Sequence, residues 1–183
     1  MSIPYPTPGV HMDVCTTIRR NLYCSYMLEQ MVANLFTAYI DSIDGSNNGL
    51  GVAKIVLSVL AIESKNHATY IDLMARHYNL FDEAECTQLI GRPWTSMQEL
   101  LSELSEGRKM NLKEFIEKQA WIERAVGEET YHKLLLPLIN EGVGMGCIDK
   151  INASVIESIL SKIASDEVWH EKLLQLLLNM VSN

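Results

Sequence analysis

Apolar residues recur every three or four positions along most of this chain, the spacing that keeps side chains on one face of an α-helix. Between Ile151 and Val181 the stripe runs Ile156, Leu160, Ile163, Glu167, His170, Leu174, Leu177 and Val181. Two of those places hold a carboxylate and an imidazole where the pattern calls for hydrocarbon. Ionisable groups turned inward need partners, so the interruption raises the question of what meets them.

Three more long helices are predicted upstream. The first runs from Asp13 to about Ile43, with Ile18, Leu22, Ser25, Glu29, Val32, Phe36, Ile40 and Ile43 inward, and ends at the turn-forming DGSNNGLG. The second covers about Leu50 to His77, with Val52, Val56, Val59, Glu63, His67, Tyr70 and Met74 on one face. The third, from about Asn111 to Leu136, stops or kinks at Pro137, and the fourth follows the loop NEGVGMG. Tyr78 to Met110 holds short helical pieces broken at Gly91, Pro93 and Gly107, with a Ser96/Glu99 capping box, and reads as a crossover outside the core. Residues 1–12 hold three of the five prolines and read as an extended arm. Strand patterns are absent. The expected fold is all-α: an antiparallel four-helix bundle over residues 13–183, with one long crossover between helices two and three.

The two halves resemble each other. LEQMVA (Leu28 to Ala33) in the first helix matches IERAVG (Ile122 to Gly127) in the third, so Glu29 and Glu123 occupy corresponding places. AIESKNH (Ala61 to His67) in the second lines up with ASDEVWH (Ala164 to His170) in the fourth.

Together the inward stripes bring Glu29, Glu63, His67, Glu123, Glu167 and His170 to the bundle centre. Four carboxylates cannot ionise together in a low-dielectric core without cations, and two divalent ions supply four positive charges. Carboxylate-rich ligation with one imidazole per metal suits iron or manganese, or a mixed iron–manganese pair, better than zinc. Two points stay open. Glu128 shares a second face of the third helix with Trp121, Ala125, His132 and Leu135; a fourth helix starting near Asp149 favours Glu123, whereas a start at the Ser154/Glu157 capping box favours Glu128. His67 lies four residues after Glu63, so the pair either reaches one site, through a local π-bulge, or the second helix offers only Asn66 where a histidine would be expected.

An acid from each of two helices and Glu-x-x-His from each of the other two define the ferritin-like dimetal-carboxylate proteins. At Glu167-Val168-Trp169-His170, Glu29 and Glu123 the chain resembles that superfamily, which includes rubrerythrins and a tRNA hydroxylase. The resemblance implies a ferritin-like bundle, two bound metal ions, Glu167 bridging them and His170 binding one. It also implies oxidoreductase chemistry on dioxygen or peroxide, with electrons from an external donor because no rubredoxin-type module is present. Iron storage is a weaker expectation, since no short fifth helix is visible.

Composition narrows the field. The chain has 183 residues, 48% of them apolar and 21% charged, which predicts one globular domain. A net charge of −8 and the lack of a basic stripe argue against nucleic acid, a tRNA substrate included. No apolar run reaches the ~20 residues needed to cross a bilayer, and the N-terminus lacks a basic region and an apolar signal core, so a cytoplasmic location is expected. Cys15, Cys24, Cys86 and Cys147 contain no CxxC pair and are expected to be reduced, buried thiols. Tyr26, Tyr70, Tyr131 and Trp169 could hydrogen-bond or pass electrons near the metals. A proline-rich arm and exposed leucines suggest a homo-oligomer. The competing reading is a metal-free helical module for association, with Glu and His paired inside.

Overall fold

Asp13 starts the first long helix by accepting the backbone N–H of Thr16 at 3.0 Å, which satisfies one of the donors that a first turn leaves over. In the computed structural model, which describes residues 13–43 and 50–181, α1 is Val14–Ser42, α2 Gly51–His77, α3 Cys86–Ile90, α4 Arg92–Ser105 and α5 Leu112–Ala125. A π-helical segment, Val126–Leu135, joins α5 directly to α6, Leu136–Gly144, and α7 is Lys150–Val181. The described residues contain no strand, so the fold is all-helical. The expected arm and most of the DGSNNGLG turn lie outside the described residues.

Pairwise contacts set the helix directions. Lys54 Nζ reaches Ile43 O at 3.1 Å, while Tyr23 and Tyr26 near the start of α1 touch Phe81 just beyond the end of α2, so these helices are antiparallel. α7 runs back along α5 and the π segment, since Arg124 pairs with Glu171 and Gly127 abuts Glu167 and Ala164. Ile18 packs by Gly142, and Tyr39 stacks on Phe115 at 3.7 Å, which sets α1 antiparallel to the α5–α6 run. Between them lies one core in which Ile18, Leu22, Phe36, Leu57, Leu60, Ile71, Ile122, Leu160 and Ile163 are fully buried. Each such side chain contributes roughly 1.5–3 kcal/mol relative to exposure.

Five expectations need correction. The inward face of α2 is Leu57, Leu60, Ser64, His67, Ile71 and Met74, one position out of phase with the expected stripe, so Glu63 sits at its margin and Val52 and Tyr70 are exposed. The connection from Tyr78 to Met110 is part of the core, because Trp94, Met97 and Leu100 of α4 are buried. α4 starts at Arg92, after Gly91 takes the left-handed φ of 72° that glycine tolerates, so Ser96 lies inside the helix rather than capping it.

Pro137 does not end the third long helix. A proline ring clashes with the carbonyl four residues before it in an α-helix. The preceding turn is instead π-helical, with Leu136 N–H donating to Tyr131 O, and this wider turn relieves the crowding ahead of the ring. The helix then continues for another two turns as α6.

The cysteines are oxidised, contrary to expectation. Cys15–Cys147 ties the start of α1 to the α6–α7 loop, and Cys24–Cys86 ties α1 to α3. Each pair joins residues far apart in sequence, which is why spacing alone did not suggest it. The pairing removes reduced thiols as support for a cytoplasmic location. No helix among the described residues is long and apolar enough to cross a membrane.

Candidate metal centre

Four helical runs each direct one or more polar residues to a single depth in the core. Glu29 from α1, His67 from α2, Glu123 from α5, and Glu167 and His170 from α7 are all at most 2% exposed. Spacing of three on α7 and the corrected phase of α2 put these side chains on the buried faces. Glu123 is inward because α7 starts at Lys150, with Asp149 Oδ1 accepting the Ile151 and Asn152 N–H groups. Starting there sets the depth at which α5 and α7 meet.

The five groups form two triads that share one carboxylate. His67 Nδ1 lies 3.5 Å from Glu29 Oε2 and 3.1 Å from Glu167 Oε1. His170 Nδ1 lies 3.3 Å from Glu123 Oε2 and 3.6 Å from the same Glu167 oxygen. Within each triad the donor atoms lie within 4.8 Å of one another. Donors held about 2.1 Å from a common ion stand about 3.0–3.5 Å apart, so these separations suit ligation.

Hydrogen bonding leaves three of the donor atoms over. His67 Nδ1, Glu123 Oε1 and Glu167 Oε1 are buried and form no hydrogen bond, even though His67 Nδ1 and Glu167 Oε1 are close, because the approach is off the bonding direction. Buried polar atoms in native folds are nearly always satisfied. A cation in each triad would engage these groups, one with His67 and Glu167 and the other with Glu123 and Glu167, and the donor set of three carboxylates and two imidazoles fits iron or manganese.

The outer imidazole nitrogens are also held. His67 Nε2 lies 3.0 Å from Asp166 Oδ2, and His170 Nε2 lies 2.8 Å from Glu63 Oε2. A carboxylate behind each ring holds the N–H on Nε2, so that Nδ1, once it gives up its proton to a metal, would present its lone pair inward. Asp166 and Glu63 correspond in the internal repeat, and each supports the histidine of the other half. Glu63, half-buried, is therefore placed behind His170 and not in either triad. Asp166 was missed by the periodicity, since it lies beside the buried stripe, though it is adjacent to Glu167 and matches Glu63 in the repeat. Ser64 is the repeat counterpart of Glu167; it is fully buried and its hydroxyl has no hydrogen-bond partner.

Glu128 lies outside the site. Its carboxylate is exposed and pairs with Lys133 at 2.7 Å. The π segment explains this, since its inward positions follow Glu123 at a strict spacing of four, through Gly127, Tyr131 and Leu135, and His132 faces out. No π-bulge occurs in α2, which is α-helical throughout. Gly127 is required where it stands: a Cβ there would lie 2.7 Å from Glu167 Cβ. Tyr131, fully buried, donates its hydroxyl to Glu29 Oε1 at 2.6 Å.

Without cations the site holds extra protons. Burial opposes the His67 imidazolium, but the Glu167 and Glu29 carboxylates prevail and lift its pKa to about 11. His170 is lifted to about 12 against the same penalty by Glu123 and Glu167. Burial and then the charge of Glu167 push Glu123 up to about 8, while Glu167 stays below the usual range because its close neighbours Glu123, His170 and His67 together outweigh burial and the Glu29 charge. Burial also raises the Tyr131 phenol well above its ordinary value, followed by the Glu29 and Glu167 charges, so its O–H stays intact. The protons on the two imidazoles and on Glu123 thus offset the carboxylate charge of the site near neutral pH.

A cleft of about 310 Å³ between α5, the π segment and α7 is lined by Glu123, Arg124, Gly127, Glu167 and Glu171.

Compared with protein families, curated proteins and solved structures, the chain shows no match.

Proposed function

We propose that the protein is a dimetal-carboxylate oxidoreductase that binds two iron or manganese ions and acts on dioxygen or peroxide with electrons from an external donor. In this reading α1, α2, the α5–α6 run and α7 are the four helices of a ferritin-like bundle, and α3–α4 is its crossover. The observation that carries it is Glu167 Oε1, a buried oxygen without a hydrogen bond, within 3.6 Å of both inward imidazole nitrogens. Glu29, His67 and Glu167 would hold one ion; Glu123, His170 and Glu167 would hold the other. Such a pair of ions would supply redox equivalents and Lewis acidity.

The chain's own residues do the rest. Asp166 and Glu63 orient the two imidazoles, Tyr131 holds Glu29 in one rotamer, and the core around Leu60, Ile71 and Ile163 excludes bulk water. Metal content by elemental analysis of protein purified without chelator tests the reading. About two iron or manganese ions per chain, lost in Glu167→Ala, are expected; none in the unaltered protein sinks it.

The charge balance described above favours a second reading, a metal-free module whose Glu–His pairs neutralise one another. Buried pairs of that kind are seldom better than apolar packing. Under this reading Glu167→Leu keeps or gains stability and added metal has no effect, whereas the dimetal reading has metal stabilise only the unaltered protein.

A further inference from the structure

Fourteen large apolar side chains are exposed among the described residues, and twelve of them lie on α2 and α7, while α1, of similar length, has none. α2 and α7 are antiparallel neighbours, since His67 of α2 meets Asp166 of α7 and Glu63 meets His170. A bundle helix needs one apolar face for its core. These two helices each carry a second.

On α2 the second face is Val52, Ile55, Val59, Ile62 and Leu73, which keep alternating steps of three and four through the uncharged Asn66 and Thr69. Ile55, Ile62 and Leu73 are 67%, 61% and 63% exposed. On α7, Ile151, Val155, Trp169 and Leu176 keep the same alternation through Ser158, Lys162, Ser165 and Lys172. A repeat of that kind is the seam of a helix packed on another helix. The two stripes lean toward each other, because Tyr70 and Leu73 from one and Val155 from the other line a single groove of about 700 Å³. Charges between the stripes are already paired within the chain: Lys162 holds Asp166, and Glu63 holds His170.

We infer that this face is the interface of a homodimer, in which the α2–α7 pair of one chain seats on the α2–α7 pair of a second copy about a two-fold axis. It needs no metal in the centre. The 27 residues of α2 give a strip about 40 Å long and, across two helices, about 20 Å wide. Its area of about 800 Å² is the share that each partner gives to a stable interface of standard size. The face is also suited to a copy of itself, since an isologous contact asks one patch to complement its own image and an antiparallel apolar pair does so. A lipid surface fits less well: helices that lie on membranes carry Lys and Arg on the polar side, and a chain of net charge −8 is repelled by anionic lipid. Seating the second copy would close off Glu63 and Asp166, whose side chains are 35% and 19% exposed, from bulk water.

Sedimentation velocity of the full chain with its disulfides intact tests the interface. At micromolar concentration the unaltered protein should sediment at twice the chain mass of 20.7 kDa. Ile62→Glu and Leu73→Glu, at side chains that the single chain leaves mostly exposed, should each raise the dissociation constant at least ten-fold. Together they should give a monomer with unchanged helical circular dichroism. Met145→Glu, 66% exposed but off this face, should leave the dimer intact. A benzoylphenylalanine placed at position 62 and irradiated in a mixture of nitrogen-15-labelled and unlabelled chains should cross-link between chains, to peptides of α2 or α7. A monomeric unaltered protein, a dimer undiminished in the paired variant, or cross-links between chains confined to other helices overturns the assignment. So does a monomer that floats with vesicles of phosphatidylcholine and phosphatidylglycerol, which would give the face to a lipid surface.

Discussion

Gly127→Ala should damage the site without touching a donor atom. The added Cβ would stand 2.7 Å from Glu167 Cβ, 3.5 Å from Glu167 Cγ and 3.8 Å from Ala164 O. Carbon atoms need about 3.5–4.0 Å, so α7 and the π turn must part by about 1 Å. Because the closest atom is the stem of Glu167 and not a flexible end, the relief comes from the backbone. Overpacking of this size costs about 1–3 kcal/mol, partly offset by the ~0.5–1 kcal/mol that alanine gains over glycine in a helix. A net loss of about 1–2 kcal/mol should lower Tm by roughly 2–8 °C for a chain of this length. The same shift moves the shared carboxylate, so affinity for cobalt(II), used as a spectroscopic probe, should fall at least about ten-fold. Gly144→Ala is the control, since nothing lies within 4 Å of its added methyl; it should be neutral or stabilising by about 0.5 kcal/mol. A Gly127→Ala protein with unchanged Tm and unchanged cobalt affinity would refute the close approach of α7 to the π turn.

Asp166→Asn and Glu63→Gln should each weaken metal binding about 10- to 100-fold while leaving two binding sites, because each carboxylate orients one imidazole; unchanged isotherms would contradict that role. Metal must displace protons from His67 and His170, held up to about 11 and 12, and from Glu123, held up to about 8, so about three protons should leave per metal pair at pH 7. The sign follows from these shifts: imidazole pairing stabilises the metal-free fold fully below pH 6.5 and is lost as pH rises through 11, while ionising Glu123 costs that fold stability above pH 4.5. The metal-induced rise in Tm should therefore be larger at pH 8 than at pH 6, and calorimetry in buffers of different ionisation enthalpy should count the protons; no release would contradict the protonated site. The two disulfides close loops of 132 and 62 residues, worth about 2–5 kcal/mol each by chain entropy. Replacing Cys15 and Cys147 with serine should lower stability within that range in urea unfolding, and mass mapping of unreduced peptides should find both pairs.

How far the sequence was legible varies by helix. α7 could be read as far as Leu177 because it is amphipathic in the simple sense: Ile156, Leu160, Ile163, Leu174 and Leu177 are buried, Glu167 and His170 stand out against them, and only Val181, expected inward, is exposed. α2 was misread by one position because Val52, Ile55, Ile62 and Leu73 are apolar and exposed, so hydrocarbon lies on both faces and the phase is ambiguous. That error hid Ser64 and promoted Glu63 from support to ligand. In the third helix a period of 3.6 residues was assumed, and the π register that brings Gly127 and Tyr131 inward has no period-based signature; the repeat of LEQMVA in IERAVG pointed to Glu123 independently of phase. The same repeat already paired Glu63 with Asp166, but its meaning needed the distances to both imidazoles. Disulfide pairing depends on which helix ends meet, which no local spacing encodes.

The central claim is that Glu167 is shared by two metal ions. Anomalous diffraction at the iron edge from crystals of the iron-loaded protein tests it most directly. Two peaks about 3.5–4 Å apart are predicted, one beside Glu29 and His67, the other beside Glu123 and His170, with the Glu167 carboxylate between them. A fully occupied crystal with a single peak, or with peaks away from these five side chains, would contradict it.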